Sequence, residues 1–410
     1  MLKSQKVLII QDFLEPGGAT RILQDVSNDL RKYALYMWAG HVLNFHPISK
    51  LKKEFNSVKL SLFPISFNNS VFFSYLKVSW RMFWMANYKN PEIGIRDIYI
   101  FNVPFSSFGF ILRNYFLSNK FIYIFHGAFD LERESRWKNF EPANISVPLL
   151  TKIRRWMVIK LYFLIQLFVL RRMNKILVHS KYSYNLVTSH FNINTDKVIR
   201  FNIPLIKSGV TALNSNENIV LRKKSENKII FLYASRFEPR KGAHILLEAI
   251  SLLKRNTDIP FIVYMLGDID DGVYQSYLYK QIMDFDIFEN VNIKRSVSRS
   301  ELFKWYSYAD CVLMPSLTLE TLGMITLESL NMGTPVIGFN SGATPEILSI
   351  SPITRKLLAR HLTAVSYMNR MKWFMNLNSS EISKLKLACK DLSRLYFYHK
   401  PNVEQILESL

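Results

Sequence analysis

Short apolar runs alternate along this chain with longer stretches of helical periodicity. In the first half the runs fall at Lys6–Gln11, Tyr36–Leu43, Lys59–Pro64, Asp97–Val103, Lys120–Phe125, Lys175–Ser180 and Val198–Ile203. In the second half they fall at Lys228–Ala234, Phe261–Leu266, Val291–Lys294, Cys311–Met314 and Pro335–Phe339. Several are apolar throughout, the pattern of parallel strands covered on both faces. Strands separated by helices imply right-handed crossovers and doubly wound α/β sheets.

Between Pro204 and Asn227 the hydrophobic order lapses into polar and charged residues, and a new strand pattern then starts at Lys228. This predicts a Rossmann-like domain over 1–207, a linker over 208–227 and a second Rossmann-like domain over 228–385. Residues 386–410 are expected as a C-terminal helix returning to the first domain. A length of 410 residues suits two domains rather than one core. Two such sheets facing each other leave a cleft at the carboxyl ends of their strands, where ligands of open α/β sheets bind.

The composition narrows the class. A hydrophobic fraction of 49% is that of a globular protein. Only Cys311 and Cys389 occur, which excludes a disulfide framework or zinc spacing and makes a reducing cytoplasm the expected setting. The run Val7–Ile10 is too short for a signal-peptide core. The apolar stretch Trp156–Leu170 is interrupted by Lys160 and Gln166, and falls short of the roughly 20 residues a transmembrane helix needs.

The charge is +21, and its excess is uneven. Residues 142–195 contain no Asp or Glu but hold Lys152, Arg154, Arg155, Lys160, Arg171, Arg172, Lys175 and Lys181. Such a field attracts anionic lipid, nucleic acid or phosphorylated substrates, or serves solubility alone. Lys152 to Lys175 reads as a basic amphipathic helix with Trp156, Leu161, Phe163, Leu164, Leu167 and Phe168 on its apolar side. It suits either an anionic bilayer surface or the interior of its own domain.

Glycine is scarce, 14 residues, so its placement is informative. Gly17-Gly18, Gly127, Gly242 and Gly267 each follow a predicted strand, where backbone amides can approach a phosphate. There is neither a full dinucleotide fingerprint nor a Walker loop. Arg236 and Lys241 stand five positions apart in Ala234-Ser-Arg-Phe-Glu-Pro-Arg-Lys-Gly242, at the mouth of a strand, where both can reach a diphosphate. Arg240 is expected to face solvent. In Leu319-Glu320-Thr-Leu-Gly-Met-Ile-Thr-Leu-Glu328, Glu320 is expected to end a loop. Thr321, Leu322 and Gly323 would supply amides at a helix start, with Glu328 two turns in, about 12 Å along the axis.

Together with Ser341-Gly-Ala-Thr-Pro-Glu-Ile347, these motifs resemble a retaining glycosyltransferase of family 4. The resemblance runs in order through most of the chain and is dense from Ile230 to Leu348. It implies the GT-B fold, with an acceptor-binding N-terminal domain and a nucleotide-sugar-binding C-terminal one. It implies that Glu320 contacts the transferred sugar and Glu328 the nucleotide ribose. Arg236 and Lys241 would neutralise the departing diphosphate, helped by amides of Leu322 and Gly323. Gly17 and Gly18 would approach the donor from the N-terminal domain, and His126 would hydrogen-bond its sugar near the anomeric carbon. Transfer would retain configuration, with no protein nucleophile, no cofactor and no metal. The acceptor would be a saccharide or lipid-linked saccharide of bacterial surface-polysaccharide assembly, met on the cytoplasmic face of the membrane.

Two stretches depart from the family pattern. Ser349 to Arg355 replaces a glycine-bearing acidic loop, and Asp268-Ile-Asp270 is the metal-diphosphate motif of a different glycosyltransferase fold. The rival of another class is a basic nucleic-acid-binding protein, which leaves Glu320 and Glu328 unexplained and shows no recognisable docking motif. A GT-B enzyme of other chemistry, such as a sugar-nucleotide epimerase or a phosphorylase, is the nearer alternative.

Overall fold

The computed structural model describes residues 6–14, 18–42, 55–65, 71–86, 98–116, 120–140, 148–202, 228–268, 272–317, 320–397 and 400–409. The linker at 208–227, Gly17, Leu319, Asp270 and the strand ends at Leu43, Asp97 and Ile203 lie outside them. The chain forms two compact units. The first comprises Met1–Leu131, Val147–Pro204 and His399–Leu410; the second comprises Glu132–Ser146 and Leu205–Tyr398.

The first unit is built on β1 (Lys6–Phe13), β2 (Ala34–Val42), β3 (Lys59–Ile65), β4 (Ile98–Phe101), β5 (Lys120–Phe125), β6 (Lys175–Val178) and β7 (Val198–Arg200). All neighbours pair in parallel, in the order β3-β2-β1-β4-β5-β6-β7. Val7, Leu8, Ile9 and Ile10 of β1 are at most 1% exposed. Each such side chain contributes about 1.5–3 kcal/mol by leaving water, which is why this run forms the sheet's central strand. Tyr99, Phe101, Phe110 and Phe121 pack edge to face or tilted at one side of it.

The second unit contains β8 (Ile229–Ala234), β9 (Phe261–Leu266), β10 (Val291–Lys294), β11 (Cys311–Met314), β12 (Val336–Phe339) and β13 (Leu358–Ala359). These too are parallel, in the order β10-β9-β8-β11-β12-β13. Both cysteines are buried and free. The helix Ser379–Phe397 stays with the second unit, whereas the helix Val403–Glu408 belongs to the first. There Lys32 bridges Glu404 at 2.7 Å and also pairs with Glu408, and Pro401 accepts a hydrogen bond from the Asn202 amide.

In each sheet the strand order reverses once, between β1 and β4 in the first and between β8 and β11 in the second. Such switch points open a crevice at the carboxyl ends of the two strands, where connections depart to opposite sides. No helix among the described residues is long and apolar enough to cross a membrane.

Candidate active site

In the second unit the chemistry gathers at the β8/β11 switch point. After β8 the chain turns through Arg236 and the short 3-10 segment Pro239–Lys241 into Gly242, which opens the helix Ala243–Lys254. Gly242 has φ +72°, and a Cβ there would stand 1.9 Å from the Pro315 carbonyl oxygen. Only glycine permits both the left-handed backbone and the contact with the loop after β11. The Leu317 amide donates to the Arg240 carbonyl at 2.8 Å and ties the two loops together. Gly242→Ala is therefore expected to cost about 2–4 kcal/mol of stability, read as a lowered melting temperature. An unchanged melt would show that the loop adapts freely.

That clamp sets Lys241 against Glu320. Lys241 Nζ donates to Glu320 Oε1 at 2.5 Å, and the Ser316 hydroxyl donates to the same oxygen at 2.8 Å. Burial alone would raise the Glu320 carboxyl, but the Lys241 ammonium, the Arg240 guanidinium and the Ser316 hydroxyl outweigh it and hold it at about 2. Glu320 is thus ionised at any working pH. Its backbone is fixed as well, since its carbonyl accepts from the Ala343 amide at 2.7 Å. Ala343 belongs to the Ser341–Ile347 motif, which in this way positions the carboxylate from the next loop.

Arg240 corrects the expectation of a solvent-facing side chain. Only 13% of it is exposed, and it bridges Glu238 at 2.5 Å and Glu132 at 2.9 Å. Arg236 is the open cation of the pair. Half of its side chain is exposed, and Nη1 rests 3.0 Å from Glu238.

The helix after Glu320 starts later than its spacing implied. It spans Met324–Asn331, with Gly323 just before it, so Thr321, Leu322 and Gly323 form an irregular approach. The separation of Glu320 from Glu328 is therefore not a simple helical rise. Glu328 is 2% exposed and is held by Tyr306, which donates to Oε2 at 3.2 Å, and by Arg299 at 3.3 Å from Oε1. Lys241 and Glu320 form one pair, and Glu328 has partners of its own. Gly267 follows β9 beside the β8 loop, where Ser235 donates to the Leu266 carbonyl and Phe237 to that of Asp268. Asp268 in turn accepts from the Ser296 amide and hydroxyl. Among the described residues no three His, Cys, Asp or Glu side chains cluster as metal ligands.

In the first unit the sequence-predicted residues stand near the β1/β4 switch point. Gly18 opens the helix Gly18–Asp29 after β1. His126 follows β5, and its Nε2 lies 2.5 Å from Asn102 Oδ1. Asn102 Nδ2 donates to Gln11 Oε1 at 2.6 Å. Because the Asn102 amide nitrogen is committed to Gln11, its oxygen accepts from His126, which makes Nδ1 the imidazole's acceptor nitrogen. Burial pushes His126 down to about 4, so it is neutral. Its ring stands 5.5 Å from that of His179, centroid to centroid, which burial, His126 and Lys400 also keep uncharged. Asp12, at the end of β1, accepts from the Ser106 amide at 2.5 Å, and burial raises its carboxyl to about 6 against the lowering effect of Ser106 and Phe105.

Gln11, Asn102, Asp12, His179, Ser316, Tyr306 and Arg299 escaped the sequence reading. Asn102 directly follows β4 at the switch point, a position that could have singled it out. The others carry no local signal.

Comparison with known proteins bears on the fold and on the second unit. Residues 215–384 match the family model described as glycosyl transferases group 1. A D-inositol 3-phosphate glycosyltransferase of Paenarthrobacter aurescens is 32% identical over 130 residues, 32% of this chain and 31% of that protein. A GDP-mannose-dependent alpha-(1-6)-phosphatidylinositol monomannoside mannosyltransferase of Mycobacterium tuberculosis is 34% identical over 118 residues, 27% of this chain and 30% of its own. The chain thus spans about a third of the length of these curated relatives. Over the whole chain, the Anabaena protein HepE, solved with UDP and glucose, superposes with a TM-score of 0.69 at 15% identity, covering 99% of both chains. WaaG, a glycosyltransferase involved in lipopolysaccharide biosynthesis, gives 0.63 at 12% identity over 98% of each. The class is therefore that of GT-B proteins, with two Rossmann-like domains. Within it, residues 215–384, in the second unit, are similar to group 1 glycosyl transferases.

Proposed function

We propose that this protein transfers a hexose from a nucleotide-sugar donor to a saccharide or lipid-linked saccharide acceptor, with retention of anomeric configuration, in bacterial surface-polysaccharide assembly. The observation that carries the reading is the Lys241–Glu320 pair, clamped at the β8/β11 switch point inside the matched domain. Rupture of the anomeric C–O bond leaves its electron pair on the donor's diphosphate. Lys241, with Arg236 turning from Glu238, neutralises that charge, and the amides of Leu322 and Gly323 add to the field. Glu320, already ionised, accepts hydrogen bonds from the sugar hydroxyls, and Glu328 from the ribose. In the first unit His126, neutral and oriented by Asn102, serves the transferred sugar. The leaving phosphate takes the acceptor's proton as the acceptor oxygen bonds to the anomeric carbon, so no protein nucleophile is used.

The names of WaaG and of the phosphatidylinositol monomannoside mannosyltransferase support a saccharide or lipid acceptor. So does a Klebsiella pneumoniae protein described as lying in a cps region, 28% identical over 247 residues, 60% of this chain and 61% of that protein. The enzyme works on the cytoplasmic side and touches anionic membrane peripherally, without binding nucleic acid.

Screening UDP-, GDP- and TDP-sugars by thermal shift, then measuring nucleotide release with saccharide acceptors, tests the function. One donor class is expected to stabilise the protein by mass action and to turn over. Because cations of the chain carry the phosphate charge, turnover in excess EDTA is expected to stay within about two-fold of the untreated rate. Loss of activity restored by a divalent ion would overturn the metal-free mechanism, and absence of any donor effect would overturn the function.

A further inference from the structure

Three helices of the first unit, Val71–Met85, Pro104–Arg113 and Leu149–Arg172, contain nine Lys and Arg and not one Asp or Glu. They form one layer. Ser79 donates to the Phe105 carbonyl at 2.7 Å, and a Cβ on Gly109 would stand 1.9 Å from the Ser79 carbonyl oxygen. Phe108 and Phe168 meet with ring centroids 5.3 Å apart.

A helix that covers a sheet needs one apolar face, and its opposite side is ordinarily polar. Here both sides are apolar. On Leu149–Arg172, Tyr162, Ile165, Val169 and Leu170 are buried. Phe163, Leu167 and Phe168 also pack against the core, whereas Trp156, Leu161 and Leu164 do not. Leu149, Ile153, Trp156, Lys160 and Leu164, spaced i, i+4, i+7, i+11 and i+15, form an exposed stripe. The helix therefore has a second apolar face that its own domain leaves uncovered. On Val71–Met85, Leu76, Trp80 and Trp84 repeat the pattern at intervals of four, interleaved with exposed Lys77 and Arg81. Trp80, Trp84 and Trp156 are 63%, 59% and 60% exposed, and Phe116, just past the middle helix, is 96% exposed.

Exposed apolar side chains on soluble monomers are ordinarily scattered, and gathered ones mark an interaction surface. Cations stand among these aromatics, with Arg113 over the Phe83 ring at 5.3 Å and Lys160 over Trp156 at 5.9 Å. Tryptophans with basic side chains and no carboxylates suit the headgroup level of an anionic bilayer. A second copy of the same face would meet it with like charge. Nucleic acid would gain nothing from Leu149, Leu150, Ile153 and Leu164.

We propose that this three-helix face docks on a bilayer containing anionic lipid, with Trp80, Trp84 and Trp156 in the interface and the flanking cations on lipid phosphates. The inference deepens the peripheral membrane contact named above and rests on that reading for the lipid-linked acceptor. Transfer to a soluble acceptor does not require it.

The test is sedimentation of the full chain with vesicles of phosphatidylcholine alone or with about one-third phosphatidylglycerol, read together with tryptophan emission. Binding is expected only with the anionic vesicles, with a blue shift. Trp80→Ala/Trp84→Ala/Trp156→Ala is expected to weaken it at least roughly ten-fold. The melting temperature and transfer to a soluble acceptor should stay at the wild-type values. Failure to bind anionic vesicles, or full binding by the triple variant, would overturn the proposal. So would binding of single-stranded DNA, or a dimer, that is lost in the same variant. A variant set that behaves as expected in a protein with no transferase activity would refute the enzymatic reading alone.

Discussion

Lys241→Ala is expected to lower kcat by roughly a hundred- to a thousand-fold, with a much smaller change in KM for the donor. The bound donor's diphosphate is already anionic, and a further negative charge develops on it as the C–O bond breaks, so the interaction is stronger in the transition state than in the ground state. The variant has a second consequence. Glu320 is held ionised, and removal of its nearest cation leaves a half-buried carboxylate to Arg240 and Ser316. Breaking a fully buried pair from one side costs about 3–5 kcal/mol, and this half-buried pair is expected to lose less, so a melt must accompany the kinetics. Lys241→Met/Glu320→Gln separates the two effects. It is expected to recover most of the stability and none of the rate. A Lys241→Ala protein that folds and keeps kcat within about three-fold would remove Lys241 from the transition state.

Acidification supplies the second large effect. Burial lowers His126 and His244 to about 4, and burial, His126 and Lys400 also lower His179. A histidine whose folded pKa lies below its unfolded value near 6.5 gives stability that is complete above 6.5. That stability is lost as pH falls towards the folded value, because the unfolded chain binds the proton first. Each shift to about 4 corresponds to at most about 3.5 kcal/mol. Asp12 works the other way. Raised to about 6, it lowers stability above that pH and gives it back as pH falls to 3.8. Glu320 contributes above its unfolded value of 4.5 and loses that contribution only as pH falls further, towards about 2. Between pH 6.5 and 4.5 three histidines oppose one aspartate, and the melting temperature is expected to fall steadily. His244→Gln should flatten the slope. A melting temperature that holds or rises over this range would contradict the histidine burial described above.

The strands were legible in the sequence because parallel sheets buried on both faces leave uninterrupted apolar runs, and β1 through β12 each coincide with one. β13 did not show, since two residues, Leu358 and Ala359, carry no period. The site was legible where one residue type does one job. Gly242 is an example, whereas the Glu320 to Glu328 spacing suggested a helical rise that the start at Met324 removes. Arg240 was misjudged because its burial depends on Glu132 and Glu238, and Glu132 lies over a hundred positions away. The Gln11–Asn102–His126 chain joins residues from three strand ends. Such partners come together only once the sheet order is known. The exposed stripe on Leu149–Arg172 was hidden for a related reason, since both sides of that helix are apolar and the sequence does not say which one the core takes.

The assignment of His399–Leu410 to the first unit also bears on synthesis. As the chain leaves the ribosome, β1 to β7 emerge early, but the segment that meets Lys32 and Asn202 arrives about 200 residues later, roughly 10–40 s at ordinary elongation rates. Through that interval the N-terminal sheet waits without its last helix while nearly all of the second unit is made. The order of completion then runs against the order of translation. A nascent chain stalled before residue 400 should expose its first unit to protease more than its second.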